Sequence, residues 1–102
     1  MSLRDRDKKH LWHPLTQHKI HPDALPIQKA EGVWLYDDQD KKYIDGIASW
    51  YTAMYGHCHP YILEKVQGQM QQLDQIVFAG FTHKPAVELS EKLMEILPVS
   101  YT

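Results

Sequence analysis

Apolar and polar positions change their spacing several times along this chain, and each change predicts a different kind of element. Residues 3 to 10, LRDRDKKH, alternate in sign of charge and predict a solvated arm or a short helical turn. Residues 11 to 26, LWHPLTQHKIHPDALP, contain Pro14, Pro22 and Pro26 and keep no period, so they predict an irregular segment whose prolines hold their neighbours extended. So long an irregular run suits a substrate-covering segment, an intersubunit arm, or simple disorder. Residues 27 to 45 read as a meander. Ile27 to Ala30 is a strand, Glu31-Gly32 a tight turn, Val33 to Tyr36 a strand rich in aromatic and branched residues, and Lys42 to Ile44 a third strand. Asp37, Asp38, Gln39 and Asp40 supply the polar turn between the last two strands. Residues 46 to 60 are nearly chargeless, with Gly46 and Gly56 near the ends. From Tyr61, apolar residues Ile62, Val66, Met70, Leu73 and Val77 recur at helical spacing, and Pro60 suits the first helical position. Gly68 lowers the propensity of that helix by about 1 kcal/mol relative to alanine. After Ala79-Gly80-Phe81, Thr82 is the expected cap of a second helix from about Pro85 to Ile96. Leu89, Leu93, Ile96 and Leu97 are expected to face a core, and Pro98 to stop the helix.

The segments are thus 1–26, an arm with an irregular stretch; 27–45, an antiparallel meander; 46–60, an aromatic segment; and 61–102, two amphipathic helices. This is an α+β arrangement, and three short strands with two one-sided helices need a further surface on which to bury their apolar faces. The chain is therefore expected to be an N-terminal portion of a larger enzyme or assembly. Composition narrows the class. At 43% hydrophobic and 24% charged residues over 102 positions, neither a disordered tail nor a membrane protein fits. No apolar run approaches the roughly 20 residues needed to span a bilayer, and no secretory leader opens the chain. A net charge of -2 gives no reason to expect nucleic acid or an anionic membrane as partner. One cysteine, Cys58, cannot form an internal disulfide, and a cytoplasmic location is the expectation.

The candidate chemistry is sparse. Seven histidines include His57 and His59 two apart and His10 and His13 three apart, but no HExxH or cysteine pair accompanies them. No metal site is expected, and His57 reads as a turn or packing residue beside Gly56. The aspartates of residues 37 to 40 lack the spacing of a calcium loop. Neither GxxxxGK[ST] nor GxGxxG occurs, so a phosphate cradle of that type is not expected. Trp50 and Tyr51 are more informative: an adjacent aromatic pair in a chargeless, glycine-bracketed segment supplies flat walls for a small ligand, or else fills a core between meander and helix.

Four blocks, HLWHPLTQHK (His10 to Lys19), EGVWLYDDQDKKYIDGIASW (Glu31 to Trp50), YGHCHPYI (Tyr55 to Ile62) and FAGFTHKPAVELSEKL (Phe78 to Leu93), resemble in order the N-terminal region of class III pyridoxal-phosphate aminotransferases. The WHP-T opening, Ser49-Trp50-Tyr51 and the F-x-G-x-T-H stretch resemble more narrowly the branch serving biotin formation. The resemblance implies an α/β protein overall, of fold type I (aspartate-aminotransferase-like), in which this chain precedes the large domain. It implies a homodimer acting on small molecules with pyridoxal 5'-phosphate. The implied reaction passes an amino group, usually from S-adenosylmethionine, to 8-amino-7-oxononanoate, giving 7,8-diaminononanoate. The family's Schiff-base lysine, pyridine-facing aspartate and phosphate loop belong to later parts of its chain. No catalytic or cofactor-binding residue is therefore assigned here, and this segment alone is expected to hold no cofactor and show no activity. By the same resemblance, Trp50 and Tyr51 match the aromatic pair that lines the substrate pocket. Leu15 falls where S-adenosylmethionine users commonly carry tyrosine, which leaves a lysine donor open. A different acceptor, as in related omega-amino-acid transaminases, stays open too, and the short length and sparse chemistry leave a non-enzymatic interaction module as a remote alternative.

Overall fold

The computed structural model describes residues 1–98. It divides into two compact units, Met1–Glu64 and Lys65–Thr102, the described part of the second ending at residue 98.

The first unit opens with helix α1 (Leu3–His10). Ser2 caps it: its hydroxyl oxygen accepts the Asp5 N–H at 3.2 Å, while the Asp5 carboxylate accepts the Ser2 N–H at 2.9 Å, a reciprocal capping box. Lys8, Lys9 and His10 occupy the last turn, where positive charge suits the helix dipole. The segment expected as an arm or a single turn is thus a capped helix. His13 then turns back to Asp7 (Nε2 to Oδ2, 2.8 Å), and Lys8 reaches Asp23 at 3.0 Å, tying the irregular segment to α1.

Strands β1 (Ile27–Glu31), β2 (Trp34–Asp37) and β3 (Lys42–Ile44) form one antiparallel sheet in sequence order. Glu31 pairs with Trp34 across a turn at Gly32, whose φ of +58° is left-handed. A register shift lies between Ile27 and Lys29. The β2–β3 turn is organised by Asp37, only 4% exposed, whose carboxylate accepts the N–H of Gln39 at 2.9 Å, the N–H of Lys41 at 3.0 Å and the Tyr43 hydroxyl at 3.0 Å. Burial pushes this carboxyl up, but the three donors together hold it below the usual carboxylate range.

After the sheet comes α2 (Ala48–Tyr51), then α3 (Pro60–Gln72), which runs from the first unit into the second, and α4 (Lys84–Ile96). Helix α3 begins at Pro60 as expected, but it stops at Gln72, so Leu73 and Val77 lie beyond it although they continue the apolar spacing. The Gln69 side chain donates to the Leu73 carbonyl at 3.0 Å, satisfying an acceptor that an extended helix would have used. The cap of α4 is His83 rather than Thr82: extended at φ -147°, its Nδ1 accepts the Ala86 N–H at 3.2 Å, with Pro85 in the first turn.

No hydrophobic side chain among the described residues is buried. Leu89, Leu93, Ile96 and Leu97, expected to face a core, are exposed by 60%, 43%, 76% and 48%. Packing inside the first unit is therefore carried by the sheet ladder, the helix cap and polar clusters rather than by an apolar interior.

Candidate functional site

The segment that carries the aromatic pair is shaped by an unusual backbone. Ala48, Ser49, Trp50 and Tyr51 have φ of 47°, 46°, 54° and 69°, so α2 is one turn of left-handed helix built from residues with side chains. Such residues cost about 1–2 kcal/mol each in that conformation, and runs of them are rare outside glycine. The turn persists because its surroundings fix it. Ala48 N–H donates to the Asp45 carbonyl at 3.3 Å, Tyr51 N–H to the Ile47 carbonyl at 3.2 Å, and the Thr52 hydroxyl to the Ser49 carbonyl at 2.7 Å.

Beneath the turn, Asp45 and His57 meet. His57 Nε2 lies 2.7 Å from Asp45 Oδ2, and the Ser49 hydroxyl donates to the same oxygen at 2.8 Å. The Asp45 side chain is 6% exposed and that of His57 19%. The hydrogen-bonded His57 ring, then the Ser49 hydroxyl and N–H, hold the Asp45 carboxyl down at about 2, against the opposing effect of burial. Three residue types of a hydrolytic triad are present, but not its wiring. Both the Asp45 and the Ser49 contacts fall on Nε2 of His57, the serine at 3.5 Å, and the hydroxyl proton goes to the carboxylate. A relay needs the aspartate on one ring nitrogen and the serine on the other, so this serine is not activated as a nucleophile.

His57 is anchored in turn to the sheet. Its N–H donates to the Gly32 carbonyl at 2.8 Å and its carbonyl accepts the Gly32 N–H at 3.0 Å, while Asp45 N–H donates to the Val33 carbonyl at 2.8 Å. Gly56 makes the approach possible: its φ is +85°, and a Cβ there would lie 3.1 Å from Gly32 Cα. A half-open hollow of about 380 Å³ results, lined by Val33, Asp45, Ala48, Met54, Tyr55 and His57 among others. Trp50 and Tyr51 do not line it. They stand outward, 63% and 83% exposed, so neither fills a core within this unit.

Leu15 lies elsewhere in the first unit, on the turn after α1. It too is left-handed (φ 54°) and follows Pro14, a place where glycine or asparagine is usual. It is 84% exposed, and the Thr16 hydroxyl secures the turn on the His13 carbonyl at 2.9 Å. Among the described residues, no hydrogen bond, ion pair or ring contact joins Leu15 to Trp50 or Tyr51. The Asp45–Ser49–His57 cluster was not singled out in the sequence. The signal for it lay in YIDG and GHCHP, where a carboxylate and an imidazole each stand beside a glycine in an otherwise chargeless stretch.

Among the described residues, five lysines have partners that draw them away from a shared pyridoxal-phosphate cradle. Lys8 is paired with Asp23 and Lys84 with Glu88, while Lys29, Lys41 and Lys42 lie over the rings of Tyr36, Tyr43 and Trp34 at 4.3, 5.2 and 4.1 Å. These five amines face ion pairs and rings at the surface, not a common pocket. Among the described residues, no three His, Cys, Asp or Glu side chains converge on a point that would hold a metal, and no helix is long and apolar enough to cross a membrane.

Comparison with known proteins gives this geometry a class. Residues 15–102 match the aminotransferase class-III family, and the chain belongs to it. Curated relatives named adenosylmethionine-8-amino-7-oxononanoate aminotransferase include that of Helicobacter pylori, 38% identical over 97 residues, or 93% of this chain. That of Geobacter sulfurreducens is 39% identical over 99 residues, or 95%. The chain spans only 22% of the length of each. Among solved structures, an omega transaminase from Pseudomonas jessenii in complex with PMP superposes with a TM-score of 0.89 at 32% identity, over 100% of this chain and 23% of that one. The adenosylmethionine-8-amino-7-oxononanoate aminotransferase of Methanocaldococcus jannaschii gives 0.86 at 32%, over 94% and 22%. These neighbours are fold type I transaminases, and the small antiparallel sheet with its helices is similar to the portion of them that this chain covers.

Proposed function

We propose that this chain is the N-terminal segment of a pyridoxal-phosphate-dependent aminotransferase of biotin formation. The enzyme passes an amino group from S-adenosylmethionine to 8-amino-7-oxononanoate, giving 7,8-diaminononanoate, and works as a cytoplasmic homodimer. The names of the curated relatives support the acceptor. The cofactor supplies the electron sink, and the lysine and phosphate loop that hold it lie outside this segment. Within the segment, Trp50, Tyr51 and Leu15 contact substrate.

The observation that carries the site is the outward display of the aromatic pair on a strained, firmly held turn. Strain of this kind persists where surrounding structure over-determines it, and it clusters at ligand sites. Trp50→Ala in the full-length enzyme removes apolar contact for an elongated ketoacid. At about 0.8 kcal/mol per buried CH₂, loss of two or three contacts costs roughly 2 kcal/mol, or about thirtyfold in kcat/KM for 8-amino-7-oxononanoate. Because the ring is not buried within its own unit, cofactor absorbance and melting temperature should stay near those of the parent. Normal kinetics would remove Trp50 from the site, and unfolding with loss of cofactor would make it a packing residue of the whole protein.

A second reading, an omega transaminase with another acceptor, is supported by the similarity to the Pseudomonas jessenii structure. Turnover of omega-amino acids in preference to 8-amino-7-oxononanoate would select it. Leu15 bears on the donor. Leucine and tyrosine both carry a Cβ, so Leu15→Tyr leaves the backbone cost of the left-handed position in place and reads the side chain alone. Absence of the phenol weakens selection for S-adenosylmethionine by about 0.5–1.5 kcal/mol. The variant should therefore raise the kcat/KM ratio for S-adenosylmethionine over lysine by roughly two- to twelvefold. An unchanged ratio would remove Leu15 from the donor site.

A further inference from the structure

The geometry points to Asp45, His57 and Ser49 as positioning residues: a three-point clip that holds the left-handed turn and sets the direction in which Trp50 and Tyr51 meet substrate. This rests on the aminotransferase reading above and deepens it.

Three observations converge. Ser49 immediately precedes Trp50, and its hydroxyl is fixed on Asp45 Oδ2 at 2.8 Å, so the carboxylate grips the turn at the residue beside the ring. The same oxygen receives His57 Nε2 at 2.7 Å. His57 and Asp45 are each fastened by backbone to the β1–β2 turn, at Gly32 and Val33. The sheet thus fixes two corners of the clip, and the third corner is the turn itself. Among the described residues, no hydrogen bond or ring contact joins Asp45 or His57 to the rings of Trp50 and Tyr51, so their effect on substrate is exerted through backbone direction. Releasing the clip frees residues 48 to 51 to relax toward ordinary right-handed or extended backbone, which turns the Trp50 ring away from its held direction.

The test uses the full-length holoenzyme labelled with 5-fluorotryptophan. Trp50→Phe identifies the Trp50 fluorine resonance by its disappearance from the spectrum. In His57→Ala the Trp50 resonance should shift or broaden while the other tryptophan resonances hold, and kcat/KM for the acceptor should fall severalfold, up to the roughly thirtyfold expected of Trp50→Ala. His57→Gln, whose amide can still donate to Asp45, should recover part of both effects. Combining His57→Ala with Trp50→Ala should lose little beyond Trp50→Ala alone, since both act through one ring. If His57→Ala does not fold, Ser49→Ala, which deletes one hydroxyl at the surface, gives the same pair of readouts. An unmoved Trp50 resonance in a folded His57→Ala or Ser49→Ala protein would overturn the clip. A moved resonance with normal kinetics, in that variant and in Trp50→Ala, would uphold the clip and overturn the assignment of Trp50 to the substrate pocket.

Discussion

Asp45 shows how a single carboxylate couples acidity to conformation. Its pKa falls from 3.8 to about 2 because the folded chain surrounds the charged form with the His57 ring, the Ser49 hydroxyl and the Ser49 N–H. A carboxyl depressed on folding stabilises the native state above its unfolded pKa and loses that contribution as pH falls through its folded one. The contribution of the Asp45 contacts is therefore whole at neutral pH and fades between about pH 4 and pH 2. Carboxyl carbon NMR of Asp45 across an acid titration would check this, and a midpoint near the unfolded value would contradict it. Little of this site was legible beforehand. Asp45-Gly46 reads as an ordinary turn and His57 as a residue beside a glycine. Their meeting depends on a backbone path from residue 45 to 57 that local spacing does not encode.

Elements divide in the same way. The meander was legible because its turns carry their own chemistry: Gly32 accepts the left-handed corner, and the Asp37 side chain collects the amides of Gln39 and Lys41. The end of α3 was not, since apolar spacing runs on through Leu73 and Val77 while the helix closes at Gln72. Least legible was α2. Ala-Ser-Trp-Tyr contains no glycine or asparagine to announce a left-handed turn, because the conformation is imposed by contacts with Asp45, itself tied to the strand turn at Val33. The junction between these elements gives a prediction. Gly56→Ala places a Cβ 3.1 Å from Gly32 Cα at a φ of +85°, and should destabilise the full-length protein by about 1–3 kcal/mol. Gly46→Ala, with open space around the added carbon, should stay within about 0.5 kcal/mol of the parent. Denaturant melts of the two variants side by side would decide, and equal midpoints would show that the Gly56–Gly32 contact is not a constraint.

For the molecule as a whole, the apolar surface dominates. Leu11, Trp12, Ile20, Ile47, Met54 and Phe81 are all more than half exposed, and no described hydrophobic side chain is buried. A chain of this length without an apolar interior lacks the main favourable contribution to folding. The 102-residue chain in isolation should therefore be poorly stable or should aggregate. Circular dichroism with light scattering would test this, and a sharp cooperative melt from a monodisperse monomer would refute it. The need for a further surface was legible from the short strands and one-sided helices, and Leu89 and Leu93, expected to face a core, stand exposed. The paired Gly32–His57 bridge has one more consequence. Residues 45 to 57 leave β3 at Asp45, tied to the Val33 carbonyl, and come back at His57, paired with Gly32, so both ends of that stretch are fastened to adjacent residues of the β1–β2 turn. The stretch bearing the aromatic pair is in that sense a cassette, with its two splice points side by side. Exchanging it between relatives therefore keeps both junctions in place and moves the aromatic pair as one contiguous insert.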